Sequence, residues 1–116
     1  MPKNYNRTHR IADALQRELA NLIRKELNDP RVGFVTIVNV EVSRDLAYAK
    51  VFVTVFEDAK VKETLTVLNE ASGFFRSLLA RSMNLRVVPC LRFIFDDSVI
   101  RGQRLSSMIE KAISLE

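Results

Sequence analysis

The chain has 116 residues and a formal net charge of +4, a length that suits one domain and leaves no room for a second core. Apolar residues make up 47% and charged residues 28%, which excludes a disordered chain. The single cysteine, Cys90, excludes a disulfide-stapled secreted domain, and no apolar run is long enough to cross a membrane. We therefore expect one cytoplasmic domain over residues 1–116, with no membrane partner.

Hydrophobic periodicity predicts the elements of the first half of the chain. Apolar residues recur at steps of three and four over residues 8–27, which predicts a helix that ends at the following Asn-Asp-Pro. Three valines at positions 38, 40 and 42 alternate with polar residues, which predicts a strand over residues 34–42. Residues 47–56 form a second strand after a short turn. Because the connection is short, we expect the two strands to pair as an antiparallel hairpin.

The second half of the chain predicts two consecutive helices, a strand and a last helix. The two helices cover residues 60–71 and 74–83, with Gly73 at their junction. Residues 91–95 alternate as a strand, and Asp97-Ser98 begins the last helix. The order α-β-β-α-α-β-α predicts an α+β fold, in which helices cover one face of a three-stranded sheet. The other face is then partly open. Its expected lining residues are Tyr48, Lys50, Phe52 and Thr54.

The positive charge is concentrated in two parts of the sequence. Residues 1–31 contain seven basic and four acidic residues, whereas residues 71–93 contain four basic residues and no acidic one. All four are arginine: Arg76, Arg81, Arg86 and Arg92. Because arginine makes forked contacts with phosphate and stacks on bases, this distribution points to RNA as a partner.

The acid-free segment begins with Ala71-Ser72-Gly73, at the junction of the two predicted helices. A break there would leave the next helix with free N–H groups and the positive end of its dipole. A phosphate could then be bound by Ser72 and Arg76, while Gly73 lets an RNA backbone come close. The predicted RNA-binding residues are Ser72, Gly73, Arg76, Arg81 and Arg86, with Arg10 and Arg17 from the first helix. The alternative is that Gly73 only relieves crowding between packed helices and that the arginines form a solvated surface.

The residue types that carry out catalysis do not form a recognisable arrangement. The only histidine, His9, is expected at the surface, and Cys90 is expected to be a small buried hydrophobe without a basic partner. Adjacent acidic residues point apart and fit turns and caps better than a metal or acid–base site. There is no phosphate-binding glycine loop and no His/Cys cluster. We therefore expect no catalytic residue, no metal and no cofactor.

Several stretches of the chain resemble the ribosome-binding factor A family, whose members are assembly factors of the small ribosomal subunit in bacteria and organelles. The most diagnostic is Ala71-Ser72-Gly73-Phe74-Phe75-Arg76. The other matching stretches are residues 10–19, 29–37, 40–43, 45–46, 49–51, 85–86, 88–89, 91–93 and 95–98. The resemblance therefore extends in order over nearly the whole chain.

The resemblance implies a type II KH-like domain. In it an Ala-x-Gly interhelical kink, here Ala71-Ser72-Gly73, replaces the Gly-x-x-Gly loop with which ordinary KH domains clamp nucleic acid. It also implies a non-catalytic factor that binds free small subunits through 16S ribosomal RNA near the decoding region. Family members support late maturation, including processing of the 5′ end of 16S ribosomal RNA, and matter most during growth in the cold. An assembly GTPase aids their departure, and we expect a monomer.

Two other functions are compatible with the sequence. The first is a protein-interaction adaptor that docks through the open sheet face and the C-terminal helix. The second is a small hydrolase acting on RNA ends, which the lack of an acid–base pair or metal cluster disfavours.

Overall fold

The element order of the chain follows the hydrophobic pattern closely. A computed structural model describes residues 7–27, 29, 32 and 34–97. The elements are helix α1 (Arg7–Glu26), strands β1 (Val35–Val42) and β2 (Tyr48–Val55), a 3-10 turn (Asp58–Lys60), helices α2 (Val61–Glu70) and α3 (Ser72–Ser82), and strand β3 (Cys90–Phe95). This confirms the predicted order α-β-β-α-α-β. The predicted last helix lies outside the described residues.

The three strands form one sheet in the order β1-β2-β3. β1 and β2 pair antiparallel, as predicted for a hairpin, and β2 pairs parallel with β3. The parallel pairing is possible because α2 and α3 carry the chain back to the end of the sheet at which β2 began. α1 packs on β1 and on α3, while α2 and α3 pack on β3. The helices therefore cover one face of the sheet, as expected for this α+β fold.

The core lies between that helical layer and the sheet. On β2, Ala49, Val51, Val53 and Val55 are buried, whereas the residues between them are exposed or half-buried. They meet fully buried side chains from the helices, which include Leu15, Leu19, Leu68, Phe75 and Leu79. The alternation of β2 thus assigns Tyr48, Lys50, Phe52 and Thr54 to the open face, as predicted.

A bulge in β1 interrupts the alternation of its valines. The pairing with β2 shifts between Ile37 and Asn39, so that Val38 is the extra residue of the strand. Val38 is 44% exposed, whereas Val40 is buried. The strand over residues 34–42 is thus confirmed, but the regular alternation of Val38, Val40 and Val42 does not continue through the bulge.

The expectation that Cys90 is buried is wrong. Cys90 is an exposed free cysteine at the start of β3. Leu91 and Phe93 take the core side of this strand, and successive side chains point to opposite faces. Cys90 therefore lies on the open face together with Arg92.

Candidate nucleic-acid interface

α2 and α3 are separated by a single non-helical residue, Ala71, with φ −87° and ψ 3°. The Ala71 N–H donates to the Val67 carbonyl at 3.0 Å, and its own carbonyl accepts from the N–H of Phe75 at 3.0 Å. The two helices are therefore joined through Ala71 without a loop. Gly73 does not lie at the break itself but in the first turn of α3.

The start of α3 is open in two respects. No side chain caps it among the described residues, and Ala71 has no polar group with which to do so. Gly73 is exposed, and within the described part of the chain no heavy atom lies within 4 Å of a Cβ built there. Its φ is not positive. Neither backbone conformation nor helix packing requires a glycine here, which removes the argument that Gly73 relieves crowding.

Arg76 connects α3 to the segment that leads into β3. Its Nε donates to the carbonyl of Val88 at 2.9 Å, and its side chain is otherwise exposed. Because a guanidinium has five N–H donors, this bond leaves capacity for a phosphate contact. Arg76 thus has a structural contact that sequence reasoning did not predict.

The predicted RNA-binding residues fall into two groups along α3. Ser72, Gly73 and Arg76 lie at its beginning, and Arg81 lies exposed in its last turn. A helix of 11 residues is about 16 Å long, which exceeds the reach of one phosphate contact. Arg86 follows the helix. The groups therefore suit several phosphates in succession rather than one.

One basic residue of α1, Arg7, lies beside Arg86. Arg86 and Arg7 line the same small cavity of about 170 Å³, which brings the start of α1 next to the segment after α3. Arg10 and Arg17 are exposed on α1 and are seven residues apart, so they lie on the same side of the helix. His9 is exposed in the first turn of α1, as expected.

A larger cleft of about 830 Å³ follows β3 and reaches the start of α3. Ser72 and Asn69 line one part of it, and Lys50 and Arg92 line another. The amide of Asn69 bonds to the backbone of Phe93, donating to its carbonyl at 3.1 Å and accepting from its N–H at 2.9 Å. Sequence reasoning missed Asn69, because a contact between residues 24 positions apart leaves no local pattern.

The described residues contain no group of three or more His, Cys, Asp and Glu side chains that could hold a metal ion. Among those same residues, no helix has the length and apolar character needed to cross a membrane.

Comparison with known proteins identifies the family. The model of the family described as ribosome-binding factor A matches residues 7–109. The chain is 55% identical to the ribosome-binding factor A of Pseudomonas syringae pv. syringae (strain B728a), over 98% of this chain and 85% of that protein. It is 54% identical to that of Pseudomonas aeruginosa (strain UCBPP-PA14), over 98% of this chain and 91% of the relative.

Solved structures of similar fold carry the same description. The crystal structure of ribosome-binding factor A from Thermus thermophilus has a TM-score of 0.68 and 29% identity, over 77% of this chain and 96% of that one. A homology model of the Thermus thermophilus factor, fitted into a cryo-EM map of a 30S complex with that factor, has a TM-score of 0.65 and 30% identity, over 74% of this chain and 91% of the other. By the family match and the identity to these relatives, the chain belongs to the ribosome-binding factor A family.

Proposed function

We propose that this chain is a non-catalytic assembly factor that binds the free small ribosomal subunit through its 16S ribosomal RNA. The observation that carries the proposal is the uncapped, open start of α3 in a segment whose only charged residues are arginines. Free N–H groups and the dipole favour a phosphate at Ser72 and Gly73. Arg76, Arg81 and Arg86 then extend the positive surface along the RNA backbone.

Family membership supports a ribosomal partner in particular. The Thermus thermophilus relative was placed in a map of a 30S complex. The proposal for this chain includes late maturation of the small subunit, processing of the 5′ end of 16S ribosomal RNA, and a requirement in the cold. It also includes a cytoplasmic monomer whose departure from the subunit is aided by an assembly GTPase.

We further propose that residues 1–116 are a single type II KH-like domain. The element order and the mixed three-stranded sheet support this classification. In this proposal the junction at Ala71, followed by Ser72 and Gly73 in the first turn of α3, stands where an ordinary KH domain has its Gly-x-x-Gly loop. A junction of one residue suits a structured RNA surface better than it suits the clamping of a mobile single strand, because it has no loop that could close over the ligand.

Sedimentation of cell extract tests the ribosomal partner. We expect the protein to comigrate with free small subunits and their precursors and to be released by salt, because phosphate contacts are exchanged for counterions. Absence from these fractions at low salt would contradict the proposal. Retention on a protein partner after nuclease treatment and in high salt would favour the adaptor instead. Phe34 and Phe56 support that alternative, because they are 74% and 84% exposed and bond to each other just beyond the ends of β1 and β2.

Arg81→Glu tests the interface itself. Arg81 is exposed, so the fold should tolerate the change. We expect subunit affinity to fall about tenfold and the slope of log affinity against log salt to decrease by about one, as for the removal of a phosphate contact. Lys62→Glu is the matched control, since Lys62 is an exposed residue of α2 outside the cleft along β3. Equal affinity of the two variants for small subunits would refute the proposed interface.

A further inference from the structure

The open face of the sheet carries a regular arrangement of aromatic and basic side chains. Tyr48, Lys50 and Phe52 occupy alternate positions of β2 on this face. In the register with β3, Lys50 lies directly opposite Arg92 and Tyr48 lies opposite Cys90. The face therefore presents a pair of cations next to an aromatic side chain.

The two cations lie opposite each other on neighbouring strands, and among the described residues neither has an acidic side chain within ion-pair distance. Neighbouring strands are about 4.8 Å apart, so Lys50 and Arg92 repel one another across β2 and β3. Both are exposed, and neither forms an ion pair with an acidic side chain of the described part of the chain. Glu41 lies opposite Lys50 on the other side, on β1, but does not pair with it. An anion bound between Lys50 and Arg92 would relieve this repulsion.

The aromatic side chains are placed for stacking beside that anion site. Tyr48 is 65% exposed, although burial of its ring would be favourable, and Phe52 is half-buried further along the same strand. A flat ring on an exposed sheet face is a platform for an unstacked base, and neighbouring basic residues can hold its phosphates. The chemistry that matches both features is that of a single-stranded nucleic acid.

This surface is continuous with the proposed interface at α3. The cleft along β3 is lined by Tyr48, Lys50 and Arg92 at one part and by Ser72 at another. A strand that leaves the start of α3 can therefore cross the edge of the sheet onto its open face. Its path runs over β2 and β3, away from Glu41 on β1.

We propose that the open face of β2 and β3 is a second RNA-binding surface, on which Tyr48 stacks on a base of a single-stranded segment while Lys50 and Arg92 hold the adjoining phosphates. The inference rests on the proposed function and extends it. The structured RNA is contacted along α3, and an unpaired segment that emerges from it is bound on the opposite side of the sheet. A double helix would not fit this surface, since its bases are already stacked.

Cys90 provides a direct test with the unaltered chain. It is the only cysteine, it is exposed, and it lies opposite Tyr48. We expect short oligouridine to slow the alkylation of Cys90 in a saturable way, whereas an RNA hairpin with no unpaired flank should slow it much less. Alkylation at the same rate with and without oligouridine would overturn the proposal. So would a free chain whose Cys90 already reacts far more slowly than it does in denaturant, because residues 98–116 or another part of the chain would then cover the face.

Substitutions distinguish the contribution of stacking to oligouridine binding from the contribution of positive charge. We expect Tyr48→Thr to weaken oligouridine binding about tenfold, within the range measured for removal of base stacking, and Tyr48→Phe to retain it. Lys50→Gln with Arg92→Gln should reduce the salt slope by about 1.4, or about 0.7 for each single-strand phosphate that is no longer neutralised. Lys62→Gln is the control for removal of a positive charge elsewhere.

The outcomes distinguish this inference from the function on which it rests. If Arg81→Glu weakens binding to small subunits while the Tyr48 and Lys50/Arg92 variants bind oligouridine like the unaltered chain, the second surface is refuted and the proposed function stands. If Arg81→Glu has no effect on small subunits and oligouridine does not bind, both are refuted. Weaker oligouridine binding in Tyr48→Thr, with rescue by Tyr48→Phe, supports the second surface.

Discussion

Asp45 is the residue that organises the turn between β1 and β2. Its Oδ1 accepts from the Ser43 hydroxyl at 2.7 Å and from the N–H of Ala47 at 3.0 Å, while the Ser43 oxygen accepts from the N–H of Tyr48 at 3.0 Å. The Ser43 hydroxyl first, and then the Ala47 N–H, lower the pKa of the Asp45 carboxyl. These bonds hold Leu46 in a left-handed conformation with φ 61°. The Asp45 carboxylate thus holds the turn that leads into β2 at Tyr48.

The lowered pKa predicts the direction of a pH effect on stability. A carboxyl whose pKa is lower in the folded state stabilises the fold above its unfolded pKa, about 3.9 for aspartate. That contribution is lost as the pH falls through the lower folded pKa. We therefore expect Asp45→Asn to be less stable than the unaltered chain near pH 7 and the two to converge in strong acid.

Urea unfolding at several pH values measures this effect, with Asp58→Asn as the control for removal of one exposed negative charge from the 3-10 turn. A difference between the Asp45 variant and the unaltered chain that stays constant from neutral to acid pH would contradict it.

The faces on which individual strand residues lie were only partly predictable from the sequence. The alternation Tyr48-Lys50-Phe52-Thr54 correctly predicts the open face, because β2 is regular. The bulge at Val38 was not predictable, because nothing in the sequence indicates an extra residue in β1. Cys90 is misplaced because apolar character does not by itself mean burial, and its neighbour Leu91 fixes it on the other face.

At the scale of elements, the exposed edge of β3 is closed by a side chain from α2. Alternate residues of β3 bond to β2, and the Phe93 N–H and carbonyl point away from it. Asn69, at the end of α2, satisfies both groups with one amide. This contact protects part of an edge at which another strand could pair, and it fixes β3 against the helical layer.

We predict that Asn69→Ala lowers the free energy of unfolding by about 1–3 kcal/mol, the net value of two neutral hydrogen bonds. Asn69→Asp keeps the acceptor but sets a carboxylate oxygen against the Phe93 carbonyl in the last turn of α2, so it should be no more stable than Asn69→Ala. Urea denaturation compares the free energies of unfolding of these chains. The slope of that free energy against urea concentration should be the same for all of them, because the surface exposed on unfolding is the same.

Glu70→Ala, at the neighbouring exposed position of α2, is the control for Asn69→Ala. An Asn69→Ala chain with the midpoint of this control would show that the edge contact adds no stability.

Element bounds were predictable because each helix and strand has its own period. The parallel pairing of β3 with β2 is consistent with the two helices that intervene between these strands. It follows from the kind of connection and does not depend on any single residue. The bond from Asn69 to Phe93 was not predictable, since it depends on where α2 ends over the sheet.

At the scale of the molecule, α3 belongs to the core and also carries the proposed interface. Phe75 is 1% exposed and packs edge-on against Phe93 with ring centroids 6.2 Å apart. Arg76, the next residue, lies on the exposed side and bonds to Val88. The distribution of arginines along the sequence is the reason why the proposed interface is placed on α3, and this placement stays a prediction. The sequence could not predict that Arg76 also bonds to the backbone of Val88, because this bond depends on tertiary structure.

These contacts predict that Arg76 contributes mainly to the stability of the fold, whereas Arg81 contributes mainly to binding of the small subunit. Arg76→Lys keeps the charge but has no planar fork to replace the Nε–H that serves the buried Val88 carbonyl, so it should lose stability by about 1.5–3 kcal/mol, the range for bonds from charged groups. Its affinity for small subunits should fall little. Arg81→Glu should do the reverse, with clearly weaker subunit binding and a loss of stability of only about 1 kcal/mol, since Arg81 lies in the last turn of α3, where the helix dipole favours a positive charge. Arg76→Glu should lose both stability and subunit affinity, because it removes the donor and reverses the charge.

Urea denaturation and sedimentation with small subunits measure the two properties on the same preparations. An Arg76→Lys chain as stable as the unaltered one would mean that the Val88 contact is incidental. An Arg81→Glu chain destabilised as much as Arg76→Lys would mean that its weaker binding reports on the fold rather than on the RNA contact.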